Sequence, residues 1–240
     1  MKAQDLKKSI LQYAMQGKLV PQDPNDEPAS ELLKRIKAEK EQLIKDGKIK
    51  KEKNLLPITQ DEIPYDLPQG WQWVRLRDIV YNHGQKTPDS SFSYIDIGSI
   101  NNKQQKLNEN ENILSKENAP SRARKIVKNG DILYATVRPY LHNMCIIDKD
   151  FSCEPIASTG FAVLHCYSGI FHKWLFYYLL APIFDNYANS TDNAKGMAYP
   201  AINDDKLYKA LIPIPPLTEQ KRIVSKVKEL MQLVDKLENI

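Results

Sequence analysis

Residues 211–230 read LIPIPPLTEQKRIVSKVKEL, and the way this stretch divides decides the fold. Its first part mixes apolar residues with Pro213, Pro215 and Pro216. Proline has no backbone N–H to give to a ladder and its ring fixes φ, so KALIPIP at 209–215 reads as an edge strand or an extended lead-in. The pattern then changes without a gap. Thr218 is suited to cap a helix, and Glu219 complements the helix dipole in the first turn. Beyond them Ile223, Val227, Leu230, Val234 and Leu237 repeat at alternating spacings of four and three, a heptad seam widened by Val224 and Met231. Each seam side chain gains about 1.5–3 kcal/mol on burial, so this helix needs a partner. The candidates are the N-terminal helices of the same chain, a second copy, or another subunit.

Working outward, residues 3–16 place Leu6, Ile10, Leu11 and Ala14 on one helical face, with Gly17 as the stop. The proline-rich VPQDPNDEP at 20–28 is turn chemistry. Ala29 and Ser30 open a second helix with the stripe Leu32, Leu33, Ile36, Leu43 and Ile44, closed by Gly47. The charged KIKKEKN at 48–54 is expected to be mobile or weakly helical. From Leu55 the texture changes. LPQGWQWVRLRDIV (67–80) predicts a turn, a short strand and a short helix. SYIDIGSI, GDILYATV, NMCIID and GFAVLHC between 90 and 166 read as short strands punctuated by Gly, Asn and Pro. IFHKWLFYYLLAPIF (170–184) predicts a buried helix ended by Pro182, with Trp174, Tyr177 and Tyr178 as core residues. Residues 190–204 read as a loop.

The chain has 240 residues, of which 42% are hydrophobic and 27% charged, with a net charge of +4. These values suit a folded domain with an extension. No apolar run is long enough to span a bilayer, and the first residues lack the core of a secretory signal. Cys145, Cys153 and Cys166 are odd in number and form no C-x-x-C, which fits a reduced cytoplasmic setting. Cys153, His165, Cys166 and His172 match no zinc spacing, so no metal site is expected. The sequence contains no glycine-rich nucleotide loop, no amino-methyltransferase motif, no paired acidic nuclease motif, no G-x-S-x-G and no H-E-x-x-H. An enzyme is therefore not expected.

Binding chemistry remains. SRARKIVK at 121–128 concentrates Arg122, Arg124, Lys125 and Lys128, either a phosphate-holding patch or a solvated face. In TVRPYLHN (136–143), Arg138 could read guanine or hold phosphate, His142 and Asn143 could reach base edges, and Tyr140 could stack. Equally, Arg138 could pair with a local carboxylate while Pro139 and Tyr140 shape a turn. SINNKQQ (99–105) is a groove-reading loop or a polar turn.

LPQGWQWVRLRDI, RARKIVKNGDILYATVRPYLHN, ASTGFAVL and IPIPPLTEQKRIVSKVKELMQLVDKLE together resemble the DNA-specificity subunit of Type I restriction-modification systems. LKKSILQYAMQGKLVPQDPNDEPASELLKRIK at the N-terminus resembles the same family, so nearly the whole chain is covered. The resemblance implies a mixed α/β (α+β) target-recognition domain with long helices in an antiparallel coiled-coil spacer arm. It divides the chain into an N-terminal helical region at 1–60, a recognition domain at 61–212 and a spacer helix at 213–240. It implies that methylation and cleavage reside in partner methyltransferase and restriction subunits, that S-adenosylmethionine is bound by the methyltransferase subunit, and that this chain binds no cofactor. It implies double-stranded DNA as ligand; no membrane contact is expected, because no apolar run is long enough to span a bilayer.

Family members carry two recognition domains, each reading one half of a split site; this sequence carries one. It is either a natural half-subunit, able to self-dimerise through its helices on a palindromic site, or part of a longer chain. A helix over 218–240 would span roughly 35 Å, about one turn of DNA. Candidate DNA contacts are Lys86 and Thr87; Asn101, Asn102 and Lys103; Arg138, Tyr140, His142 and Asn143; and Lys195 and Tyr199. The competing expectation is an adaptor that assembles subunits through its coiled coil without reading DNA.

Overall fold

A computed structural model describes residues 2–51, 55–196 and 199–238. In chain order its helices are α1 (Ala3–Met15), α2 (Ala29–Lys45), α3 (His172–Leu180), α4 (Pro182–Asn189), α5 (Asp204–Lys209) and α6 (Leu217–Glu238). Its strands run from β1 (Gln72–Arg75), β2 (Val80–Tyr81), β3 (Phe92–Ile95), β4 (Ile100–Asn101) and β5 (Lys106–Leu107) to β6 (Ile113–Leu114) and β7 (Ala123–Ile126). They continue through β8 (Ile132–Ala135), β9 (Met144–Ile146), β10 (Glu154–Ser158), β11 (Phe161–Cys166), β12 (Ala194–Lys195), β13 (Ala201–Ile202) and β14 (Leu211–Ile214). This is the expected mixed α/β architecture.

Two four-stranded sheets make the centre, ordered β2-β11-β8-β9 and β6-β3-β10-β7. β10 pairs parallel with β3 and antiparallel with β7. The period of two along β8 and β11 distributes their side chains to two cores. Ile132, Tyr134, Ala162 and Leu164 face the helices, whereas Leu133, Ala135, Phe161 and Val163 join Ile95, Cys145 and Ala157 on the other side. Both faces of this sheet are covered, which explains why its strands read as continuous apolar runs.

The helical core draws on all three segments of the chain, with buried residues from α1, α2, β1, α3, α4, β14 and α6. Gly169 shows how closely α2 approaches. Its φ is +94, and a Cβ there would stand 2.2 Å from Leu32 Cδ1, an atom of a side chain only 1% exposed. Trp174 and Tyr178 are core residues as expected, at 0% and 2% exposure.

Among the described residues β14 pairs only with β1, so its proline lies in a two-stranded edge ladder. The chain then enters α6 through a set of side-chain locks. Gln220 is fully buried; its Oε1 accepts from Phe171 N at 2.8 Å and its Nε2 donates to Pro215 O at 3.0 Å. Glu219 accepts from Trp71 Nε1 at 3.0 Å and from Gln22 Nε2 at 3.2 Å. Burial raises the Glu219 carboxyl above its usual range, and these two donors pull against that rise. Arg222 forks onto Asp26 with contacts of 3.2 and 2.7 Å. Thr218 lies inside α6 instead of capping it, and its hydroxyl donates to Asp26. Leu217 begins the helix because the turn after Pro216 already closes there, with Gln220 N donating to Pro216 O at 2.9 Å.

The seam of α6 lies against the chain's own α1, which runs antiparallel to it, as the Lys7–Asp235 ion pair of 2.7 Å near the start of one and the end of the other shows. Ile223, Val227 and Val234 are buried and Leu230 is half-buried. Leu237 departs from the expectation: it is 64% exposed. At about 1.5 Å per residue α1 is roughly 20 Å long and α6 roughly 33 Å, so the seam outruns its partner.

Two further expectations are corrected. Pro182 does not simply end one helix; it occupies the first turn of α4, where a missing N–H costs nothing, and the break falls at Ala181. Residues 190–204 are not all loop, since β12 and β13 form a ribbon. The charged connector expected at 48–54 lies partly outside the described residues.

Candidate nucleic-acid interface

The connection from β8 to β9 is a tight turn with two non-glycine residues in left-handed backbone, Arg138 at φ 51 and His142 at φ 50. Between them Pro139–Leu141 form one 3-10 turn. Neighbouring segments hold this turn in place. Arg138 N donates to Pro200 O at 2.7 Å, and its guanidinium lies 4.1 Å from the centre of the Tyr199 ring. Ile202 N donates to Thr136 O at 3.0 Å. Asn102 Nδ2 donates to Leu141 O at 3.0 Å. Lys195 pairs with Ala201, which also bridges to Val137. Three of the four expected loops therefore meet, bringing Asn102, Lys103, Arg138, Tyr140, Lys195 and Tyr199 onto one part of the surface. Asn101 shapes its own loop, its Oδ1 accepting from Lys103 N at 3.1 Å and Gln104 N at 3.2 Å.

Other candidates serve the fold. Asn143 is only 9% exposed and its backbone carbonyl accepts from Ala135 N, so it continues the β8–β9 ladder and presents little side-chain surface. His142 Nε2 is 2.8 Å from Asp185 Oδ1, which ties the turn to α4. Lys86 lies beside β7, its N donating to Arg124 O at 2.9 Å; its ammonium reaches Glu154 at 2.8 Å and Asp89 at 3.3 Å, and Thr87 beside it is exposed.

Arg122 joins the interface instead. It is exposed, and its Nη2 stands 2.9 Å from where a Cβ on residue 160 would sit. Thr136, at the base of the Arg138 turn, donates to Gly160 O through N at 2.9 Å and Oγ1 at 3.1 Å. Glycine at 160 leaves the guanidinium room. The basic run SRARKIVK carried the signal, but the sequence did not show which of its cations faces the loops.

A second cluster has a structural reading. His165 Nδ1 and His83 Nε2 lie 2.6 and 3.1 Å from Asp131 Oδ1, while Oδ2 accepts from Lys128 N at 2.7 Å. Burial pushes the Asp131 carboxyl up, but the His165, His83 and Lys128 donors outweigh it and hold it below the usual carboxylate range. His83, Asp131 and His165 are the set of metal-capable donors found among the described residues. Their separations are those of hydrogen bonds, with one carboxylate oxygen between both rings. The trio ties β2, β8 and β11 together. Cys166 is not among those donors, and burial pushes its thiol up to about 12.

A family model, that of the Type I restriction modification DNA specificity domain, matches residues 68–240. The chain belongs to this family. The specificity subunit of the Type I restriction enzyme EcoAI from Escherichia coli is 38% identical over 98% of this chain and 41% of that protein. The EcoEI specificity subunit, also from Escherichia coli, is 35% identical over 97% of this chain and 40% of its own length. Among solved structures, the HsdS subunit from Thermoanaerobacter tengcongensis aligns with a TM-score of 0.66 at 36% identity, covering 75% of this chain and 47% of that one. This specificity-domain chain thus spans about two fifths of the length of the curated relatives it matches. No described helix is long and apolar enough to cross a membrane.

Proposed function

We propose that this specificity-family chain is the DNA-reading part of a Type I restriction-modification complex, its single recognition domain reading one half of a bipartite duplex site. The observation that carries the reading is the convergence of Arg122, Arg138, Lys103 and Lys195 with Asn102, Tyr140 and Tyr199 on one part of the recognition domain. Cations of this kind neutralise phosphates and position the protein, whereas amides and a guanidinium can distinguish base edges. The chain contributes recognition and no catalysis. Methyl transfer belongs to a methyltransferase subunit that binds S-adenosylmethionine, and cleavage to a restriction subunit that joins through the complex, all in the cytoplasm. The α1–α6 arm sets the distance between half-sites and docks the methyltransferase subunits. The second half-site is read either by another copy joined through the helices or by the remainder of a longer chain. In the first case the target is palindromic.

Selection from a random pool of duplexes tests this reading. The chain reconstituted with its methyltransferase subunit is expected to enrich a shared short sequence, with affinity falling steeply as salt rises, and the chain alone to bind that sequence weakly. Retention of all duplexes alike would refute sequence reading.

A further inference from the structure

Tyr140 and Leu141 are 49% and 37% exposed at the tip of the β8–β9 turn. Large apolar side chains at a loop tip usually fold back or sit on mobile backbone, but this tip is held from several sides. The left-handed residues at its two ends are sterically costly and persist only where the surroundings impose them. Here Pro200 O fixes the Arg138 amide, the Tyr199 ring carries its guanidinium, Asp185 holds His142, and Asn102 holds the Leu141 carbonyl. Inside the turn, Leu141 N donates to Arg138 O and His142 N to Pro139 O, both at 2.9 Å. The two side chains are therefore presented outward in a fixed frame.

The frame is cationic and amide-rich, with Asn102, Lys103, Arg138 and Lys195 around the tip. Two side chains offer far less than the roughly 800 Å² per partner of a stable protein interface, while the surrounding charge complements a polyanion. An apolar wedge in such a setting is the means by which DNA-binding proteins part a base step.

We propose that Tyr140 and Leu141 enter the bound duplex between adjacent base pairs and unstack one step. The inference rests on the recognition reading above and adds a mode of readout to it. A wedge favours steps that open easily, pyrimidine–purine above all, so it selects sequence at base pairs that no side chain hydrogen-bonds. The strained, clamped turn is what keeps the wedge from folding back when it meets the stack.

The test uses the full chain and the duplex it enriches from a random pool, with 2-aminopurine replacing each adenine and pyrrolocytosine each cytosine in turn. Without any methyltransferase present, the wild type is expected to raise fluorescence several-fold at one step. The Tyr140→Ala/Leu141→Ala double variant should bind that duplex more weakly and, at protein concentrations that saturate it, lose the rise. Tyr140→Phe, which keeps the ring, should retain it. A tightly bound duplex with no rise at any position would overturn the wedge while leaving recognition intact, and would give the tip to a protein contact. A rise that survives in the double variant would also overturn it. If no duplex is enriched, the recognition reading itself fails and the wedge falls with it.

Discussion

Arg138 combines a strained backbone, a hydrogen bond to Pro200 and a guanidinium laid on Tyr199, so its side chain is aimed before any ligand arrives. Arg138→Ala is expected to weaken duplex binding by about 1–2 kcal/mol and relax preference at one position, as read by competition binding against single-base variants. Lys103→Ala should weaken all duplexes alike. Asp131 makes a prediction of a different kind. Its folded carboxyl lies below the unfolded value, so it stabilises the fold above the ordinary carboxylate range and loses that contribution as pH falls through the folded value. Urea midpoints measured below about pH 4 should fall more steeply for the wild type than for Asp131→Asn, which is the less stable protein at neutral pH. At this scale the sequence was partly legible. Arg138 and Tyr199 were candidates on separate loops, and nothing in the sequence showed that one lies on the other. Asn143 did not declare itself as a ladder residue, because the bond is made by its backbone carbonyl and any side chain at that position would permit it. Arg122 could not be told from Arg124 and Lys125 until Gly160 was seen beneath it.

Among the elements, α6 was the most legible, because a proline-rich strand followed by a heptad seam leaves little room for another reading. Its partner was not, since α1 lies about two hundred residues away in sequence and three candidates were equal on hydrophobicity alone. The ribbon of β12 and β13 escaped notice because two-residue strands carry no periodicity. Covering of the seam by α1 can be measured. Val227 is fully buried, so Val227→Asp places an unpaired charge in the core and should cost at least about 3 kcal/mol in urea unfolding. Leu237→Asp, at an exposed seam position, should change the chain's own stability by no more than about 0.5 kcal/mol. Gly169→Ala should lower the melting temperature, because φ +94 strains any side chain and the added methyl meets Leu32 beneath α2.

Over the whole molecule, the recognition loops and the arm share one body. Gln220 links the arm to the start of α3, Glu219 links it to Trp71, and Arg222 links it to the Asp26 turn. These contacts fix the direction of the arm relative to the loops, and under the proposed function helix length would then set half-site spacing, with α6 close to one turn of DNA in length. The same junction residues, LTEQKR, carried much of the family resemblance, and their role in the structure is packing and alignment. Under the proposed function this chain chooses the sequence on which a partner methyltransferase subunit acts. Genome-wide mapping of methylated bases, made with the cognate methyltransferase subunit in the presence and absence of this chain, tests it most directly. Methylation is expected at one recurring bipartite motif, dependent on the chain and altered by Arg138→Ala. Methylation that is indifferent to the chain, or scattered over unrelated sequences in its presence, would contradict it.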